Sequence, residues 1–225
     1  HELKNPLTSL HSAAQSLDQV SDEKQRHQLM GIIQNDIMRL NRLISDISNA
    51  TRLDAELNRG ESENFDLSGL ATDVAQALAP AMADTQQIEL VVDTATPCPV
   101  SAQKQRIVQI IDNLLVNAAS FTHAKGRIYL TTQIHDVQVL LIVADEGPGL
   151  AEGTEEKIFE RFYTDRQQAP QKPVAIGHSG LGLSIARQIA RAHGGDLIGA
   201  NRPDRQGAYF TLSLPLDPEQ AKASK

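Results

Sequence analysis

Two polar side chains four residues apart open the chain, His1 and Asn5 in HELKNPLTSLH. On a helix turning about 100° per residue they lie only about 40° apart, and His1 stands roughly 200° from Leu3. Leu3, Leu7, Leu10, Ala14 and Leu17 repeat at four, three, four and three and form an apolar seam on another side. An imidazole that can serve as nucleophile or base near neutral pH thus shares a solvent-facing stripe with an amide. A second pair, Asn113 and Asn117 in DNLLVNAA, also shares one helix face. Asparagine suits helix interiors poorly because its amide competes with the backbone. Its oxygen is a hard, neutral ligand for Mg²⁺ that carries nucleotide phosphates, with two solvated or capping amides as the equally weighted alternative. In DEGPG, Asp145 ends an apolar strand, and Gly147 and Gly149 let the backbone come close to a ligand. A carboxylate there can accept from an exocyclic amine such as that of adenine, although DEGPG alone is also an ordinary turn. Finally, GHSGLGL over 177–183 runs into a helix whose free amides and positive dipole end suit a phosphate.

These groups need scaffolding, and the patterning supplies two kinds. Met30, Ile33, Ile37, Leu40, Ile44 and Ile47 continue the helical periodicity after a break at Asp18 to Asp22, with Leu53 and Leu57 extending it. Two antiparallel helices cannot hide two such seams between themselves, so the expectation is a four-helix bundle built by two chains, with packing against the rest of this chain as the alternative. Beyond a polar linker the pattern alternates: a helix from Leu67 to Leu78, a strand from Ile88 and a helix from Gln103 to Ala119. A hairpin follows from Arg127 and Val137, then a helix from Leu181 to Ala192 and strands near Leu197 and over 208–214. The fold class expected is α+β, a helical hairpin followed by an α/β sandwich. The divisions are 1–59, a linker at 60–65, a catalytic domain at 66–218 and a tail at 219–225.

Composition narrows the function. With 225 residues, 40% of them hydrophobic, the chain can bury a substantial core. A net charge of −7 supplies no field for nucleic acid or an anionic membrane. The single cysteine, Cys98, cannot form an intrachain disulfide. No stretch is apolar for long enough to span a bilayer, and the chain opens inside a helical pattern with no start signal, as a segment of a longer protein would. His11, His27, His123, His135, His178 and His193 lack metal-ligand spacing and read as surface or capping residues.

In order, HELKNPLT, DNLLVNAA, DEGPGL, IFERFY and GHSGLGL resemble the H, N, G1, F and G2 boxes of a sensor histidine kinase, and ARAHGGDL with GAYFTLSLP resembles the close of its ATP-binding domain. The resemblance spans nearly the whole chain. RLISDISNATRLDAEL is further similar to ChvG-type envelope-sensing kinases. The resemblance implies a dimerisation and histidine-phosphotransfer hairpin followed by a Bergerat-type (GHKL) sandwich that binds ATP and Mg²⁺. It implies His1 as phosphoacceptor, Glu2 as the acid that orients or deprotonates it, and Asn5 as the group that positions water against a response regulator's phospho-aspartate. It also implies Asn117 as Mg²⁺ ligand with Asn113 supporting the phosphates, and Asp145 reading adenine beside Gly147 and Gly149. Residues 152–178 match an ATP lid anchored by Phe159, Phe162 and Tyr163. His178, Ser179, Gly180, Leu181, Gly182 and Leu183 then lie at the triphosphate, with Gly180 and Gly182 as hinge. The partners implied are a second copy and a receiver domain, and the setting is the cytoplasmic part of a protein of the bacterial inner membrane.

Two features are particular to this chain. The family often places a phosphate-touching lysine where Ser120 stands, so charge must come from elsewhere, with Arg161 and Arg166 as candidates. Related ATPases carry a water-activating glutamate where Asn113 stands, so bound ATP should be hydrolysed poorly and reach His1 instead. The competing functions are a GHKL ATPase, a serine kinase of the anti-sigma type, and a non-catalytic ATP-binding dimer scaffold.

Overall fold

In the long strands of the second half burial recurs with a period of two and in the helices with one close to 3.6, and the computed structural model pairs these faces into two layers. It describes residues 4–17, 20, 22–34, 36–37, 40, 60–94, 97–163 and 180–217, without the side chains of 4–6, 85 and 86. His1, Glu2, Leu3, Ile44, Ile47, Leu53, Leu57, Arg166, His178 and Ser179 lie outside the described residues.

The hairpin region holds α1, Lys4–Leu17, and a second helix, α2, over 23–34. On α1 the covered face runs through Leu10, Ala13 and Leu17, with Ala13 6% exposed, so Ala13 rather than the expected Ala14 lies on the inner side. Leu7, Met30 and Ile37 of the two seams remain exposed within the single chain.

Next come β1 (Glu63–Asp66), α3 (Leu67–Gln86), β2 (Glu89–Asp93), β3 (Pro99–Ala102), α4 (Lys104–Phe121), β4 (Arg127–His135) and β5 (Gln138–Asp145). A 3₁₀ turn at Lys157–Phe159, α5 (Gly182–Ala192), β6 (Asp196–Asn201) and β7 (Ala208–Pro215) follow. The main sheet has the order β2-β4-β5-β7-β6, with β2 parallel to β4 and the other pairs antiparallel. One face of it, bearing Ile128, Leu130, Leu141, Val143, Phe210 and Leu212, is fully buried or nearly so. Ile107, Ile110, Ile111, Leu114 and Leu115 of α4 join the same core. Each such side chain contributes about 1.5–3 kcal/mol on leaving water, enough to hold α4, and whatever its opposite face carries, rigidly against the sheet.

Three elements differ from the sequence reading. Residues 63–66, within or beside the stretch read as linker, form β1, which pairs antiparallel with the unexpected β3. Both strands are four residues long, too short for an alternating pattern to stand out. Asp66 then caps α3 by accepting from the Ser68 and Gly69 amides, and it also accepts from Cys98 N at 2.7 Å. That helix continues to Gln86 through Pro80, past the expected stop at Leu78. Pro80 and Gln76 are both exposed, so the carbonyl deprived of its partner by the proline faces water and the cost stays small.

Candidate nucleotide site

The site gathers where the C-terminal end of β5, the middle of α4 and the start of α5 converge. Asp145 is the last residue of β5 and only 3% exposed. Its Oδ1 accepts from Gly147 N at 2.8 Å and from Ala208 N at 3.2 Å. Among the described residues nothing donates to Oδ2. Burial pushes the carboxyl above the ordinary carboxylate range, against the opposing pull of those two amides and of the Arg202 charge. A buried carboxylate with one oxygen fixed and the other open is built to accept from a ligand.

The glycines are required by the close packing of the chain around Asp145. A Cβ on Gly147 would stand 2.8 Å from Asp145 Oδ1 and 2.9 Å from the Phe121 carbonyl at the end of α4. Gly149 has φ +87° and no room either, since its Cβ would meet Asn201 Oδ1 at 2.6 Å.

Asn113 and Asn117 are both half-buried on α4. Asn113 Nδ2 donates to the Gly182 carbonyl at 3.3 Å, which places it against the first turn of α5. The Asn117 side chain makes no hydrogen bond to a described residue. Among the described residues no side chain caps α5, and a helix start of this kind suits an anion. Leu181 is 1% exposed and Leu183 packs on the core, so each can face a ligand only through its main chain. Ser120 is buried and its hydroxyl donates to Val116 O at 2.8 Å, so it replaces no phosphate-binding cation. Arg161, one candidate for that charge, reaches Gln188 Oε1 at 3.4 Å on the surface.

The two stems flanking 164–179 meet. Phe162 N donates to Gly180 O at 2.9 Å, Gly180 has φ +68°, and a Cβ on it would press on the Phe162 backbone at 2.9 Å. Phe159 is buried and Tyr163 packs against the core, while Phe162 is 48% exposed. Of the three aromatic anchors, then, two pack and Phe162 does not.

Several contributors were not legible as site residues. Arg187 lies with its guanidinium 4.5 Å above the Phe159 ring and pairs with Glu156 and Asp196. On an amphipathic helix it reads simply as a solvent-facing charge. Burial by itself would raise the Asp196 carboxyl, but Arg187, Arg191 and the Leu197 amide outweigh it and hold the group well below the usual range. A depressed carboxyl contributes stability that is present above the unfolded value of about 3.9 and is lost as pH falls through the folded one. With Asp196 over a third exposed, solvent screening trims the contribution to about 1 kcal/mol. Asp196→Asn is expected to lose that much at neutral pH and to converge on the wild type as the solution becomes strongly acidic, as read by denaturant titrations at both pH values.

His193, expected as a surface or capping residue, caps α5: its Nδ1 bonds Ile189 O at 2.8 Å while Nε2 accepts from Gln103 N at 3.1 Å. The donor set therefore puts the ring proton on Nδ1.

Comparison with known proteins meets this geometry. Residues 102–218 match the model of the histidine kinase-, DNA gyrase B-, and HSP90-like ATPase, and residues 1–56 that of the His Kinase A (phospho-acceptor) domain. The chain is 43% identical to the sensor protein ChvG of Rhizobium meliloti (strain 1021) over 97% of its own length and 39% of that protein's. It is 44% identical to ChvG of Agrobacterium fabrum over 96% and 37%. The chain thus spans about two fifths of the length of these relatives. Among solved structures, the histidine kinase ThkA in complex with response regulator protein TrrA superposes with a TM-score of 0.76 at 26% identity, covering 98% of this chain and 60% of that one. The chain belongs to the histidine kinase-, DNA gyrase B- and HSP90-like ATPases, and within them to the sensor histidine kinases of the ChvG type.

Proposed function

We propose that the chain is the catalytic core of an ATP-dependent protein-histidine kinase that phosphorylates itself on His1, passes the phosphoryl group to an aspartate of a response regulator, and removes it again. The observation that carries this reading is the buried Asp145, whose Oδ1 is fixed by Gly147 N and Ala208 N while no described residue donates to its Oδ2. Asp145 would accept from the exocyclic amine of adenine, and the uncapped start of α5, with Gly180 and Gly182, would receive the phosphates. Asn117, an amide with no partner among the described residues, fits one position of a Mg²⁺ ion. No group of three or more His, Cys, Asp or Glu converges among the described residues, so phosphates and water would complete the shell. When bound, the ion neutralises charge that builds on the phosphate oxygens.

The unprotonated nitrogen of His1 attacks the γ-phosphorus. The N–P bond forms as the bond to the β–γ bridging oxygen breaks, and ADP leaves with that electron pair. The proton on the other ring nitrogen, made acidic by the new bond, passes to the Glu2 carboxylate. Most of the acceleration comes from placement and charge neutralisation, since phosphoryl transfer asks little covalent chemistry of the protein. Transfer onward forms an O–P bond on the receiver aspartate and breaks N–P.

Leu7, Met30 and Ile37, exposed in a single chain, would be covered by the same seams of a second copy in a four-helix bundle. No helix among the described residues is long and apolar enough to cross a membrane. Attachment to the inner membrane would rest on segments outside this chain.

Asn5 lies in α1, four positions after His1 in the sequence, and its proposed task is to hold the water that hydrolyses the receiver's phospho-aspartate. Asn5→Ala is expected to keep self-labelling by γ-labelled ATP while slowing dephosphorylation of a phosphorylated receiver domain at least about tenfold. Equal loss of both activities would remove its separate role.

A further inference from the structure

The residues proposed to read the base, Asp145, Gly147 and Gly149, lie on 145–150, and that segment is gripped from outside by the turn between β6 and β7. Asn201, the last residue of β6, makes a paired contact with the backbone of Leu150: Leu150 N donates to Asn201 Oδ1 at 2.6 Å, and Asn201 Nδ2 donates to Leu150 O at 2.9 Å. Arg202 takes the other end. Its Nη1 donates to the main-chain carbonyl of Asp145 at 3.3 Å. The guanidinium is itself fixed, lying 5.0 Å from the Tyr129 ring centroid, bonded to Asp204, and with only 11% of the side chain exposed. The turn closes through Arg202 N donating to Gly207 O at 3.0 Å. Gly207 has φ +135°, and a Cβ there would overlap the Asp145 carbonyl, so turn and segment touch backbone to backbone. From the same turn Ala208 N supplies one of the two bonds that orient the Asp145 carboxylate.

We infer that Asn201 and Arg202 are positioning residues that set adenine specificity by holding both ends of the base-reading segment. Neither side chain touches nucleotide in this scheme. They fix where the open oxygen of Asp145 points and where the Gly149 backbone runs, and a carboxylate separates an amine from a carbonyl on a purine only when its direction is fixed. The phosphates are held by other elements, α4 and α5, so loosening the turn must weaken the base contribution and spare the phosphate one. The inference rests on Asp145 reading adenine, and the test separates the two.

Binding of ADP and of GDP to the whole chain is measured by calorimetry for the wild type, Asn201→Ala, Arg202→Ala and Arg202→Lys. Loss of one or two hydrogen bonds to the segment should weaken ADP about tenfold and leave GDP within about twofold, so that the preference for ADP collapses. Arg202→Lys, which can still donate to the Asp145 carbonyl, should recover part of it. Where Asn201→Ala fails to give a cooperative melt, Asn201→Asp decides, since it keeps the acceptor for Leu150 N and loses the donor to Leu150 O. Variants that retain the ADP preference, or that lose ADP and GDP affinity in parallel, overturn the inference and leave Asp145 in place. A wild type that binds ADP and GDP equally overturns the reading of Asp145 and this inference with it.

Discussion

Replacing His1 by Gln is expected to reduce incorporation of γ-labelled phosphate to background while ADP affinity stays within about a factor of two. The asymmetry follows from where the two functions reside. In the proposed scheme nucleotide is held by α4, the end of β5 and the start of α5, all within the sandwich, whereas the acceptor is the first residue of the sequence. Glutamine can imitate the hydrogen bonds of an imidazole but offers no nucleophilic nitrogen, because its amide lone pair is delocalised into the carbonyl. A neighbouring group cannot take over easily. Alignment of a bound nucleophile is worth about 7–11 kcal/mol, and a hydroxyl or second histidine elsewhere on the bundle would forfeit most of it. Filter-binding assays and calorimetry on the same preparation read both halves. Label remaining on the variant would move the acceptor to another residue.

Asp145→Asn should have the opposite profile, removing nucleotide and leaving the fold intact or firmer. The amide keeps an oxygen for Gly147 N and Ala208 N, which Oδ1 now serves at 2.8 and 3.2 Å. An NH₂ then replaces Oδ2 and confronts the amine it was meant to receive. Losing a charge-assisted bond costs about 1.5–3 kcal/mol, and opposing donors add to that, so ADP affinity should fall by at least about thirtyfold. Stability runs the other way because burial raises the Asp145 carboxyl above its ordinary range. An acid so raised is a liability of the ionised fold that begins as pH climbs past the unfolded value and is complete above the folded one. At neutral pH the neutral isostere escapes that liability, so the variant should melt no lower than the wild type. Calorimetric binding and thermal denaturation test the two statements separately. A variant that unfolds would mean that Asp145 is chiefly structural.

The core of this molecule was readable because its signals are long. The eight-residue β5 carries an unbroken apolar run from Val139 to Ala144, and α4 repeats its apolar face over eighteen residues, so the strand is marked by its apolar run and the helix by its period. The polar groups of the site were readable for a different reason: Asp145 with its two glycines and the Asn113–Asn117 pair each break a local preference, and such breaks point to a ligand. What escaped was short or indirect. The strands β1 and β3 have four residues each and are held by pairing across more than thirty positions of chain, with Asp66 reaching Cys98. Pro80 reads as a stop, yet the helix passes through it where the freed carbonyl is wet. Asn201 and Arg202 sit in NRPDRQG, a composition that any surface turn could have. Their importance lies in which backbone atoms they reach fifty residues away, and no local pattern encodes that. Arg187 was hidden likewise, since its ring contact and its two carboxylates come from two other segments, the turn at 156–159 and the start of β6.

The most direct test is to find the phosphoryl group itself. The protein is incubated with ATP and Mg²⁺, digested under alkaline conditions, and sequenced by fragmentation in the mass spectrometer, with a parallel sample exposed to acid. A single phosphoryl group on His1 that survives alkali and vanishes in acid is the predicted outcome. Acid-stable phosphate on a serine or threonine, or ATP consumed with no modified residue at all, would show a serine kinase or a simple ATPase in its place.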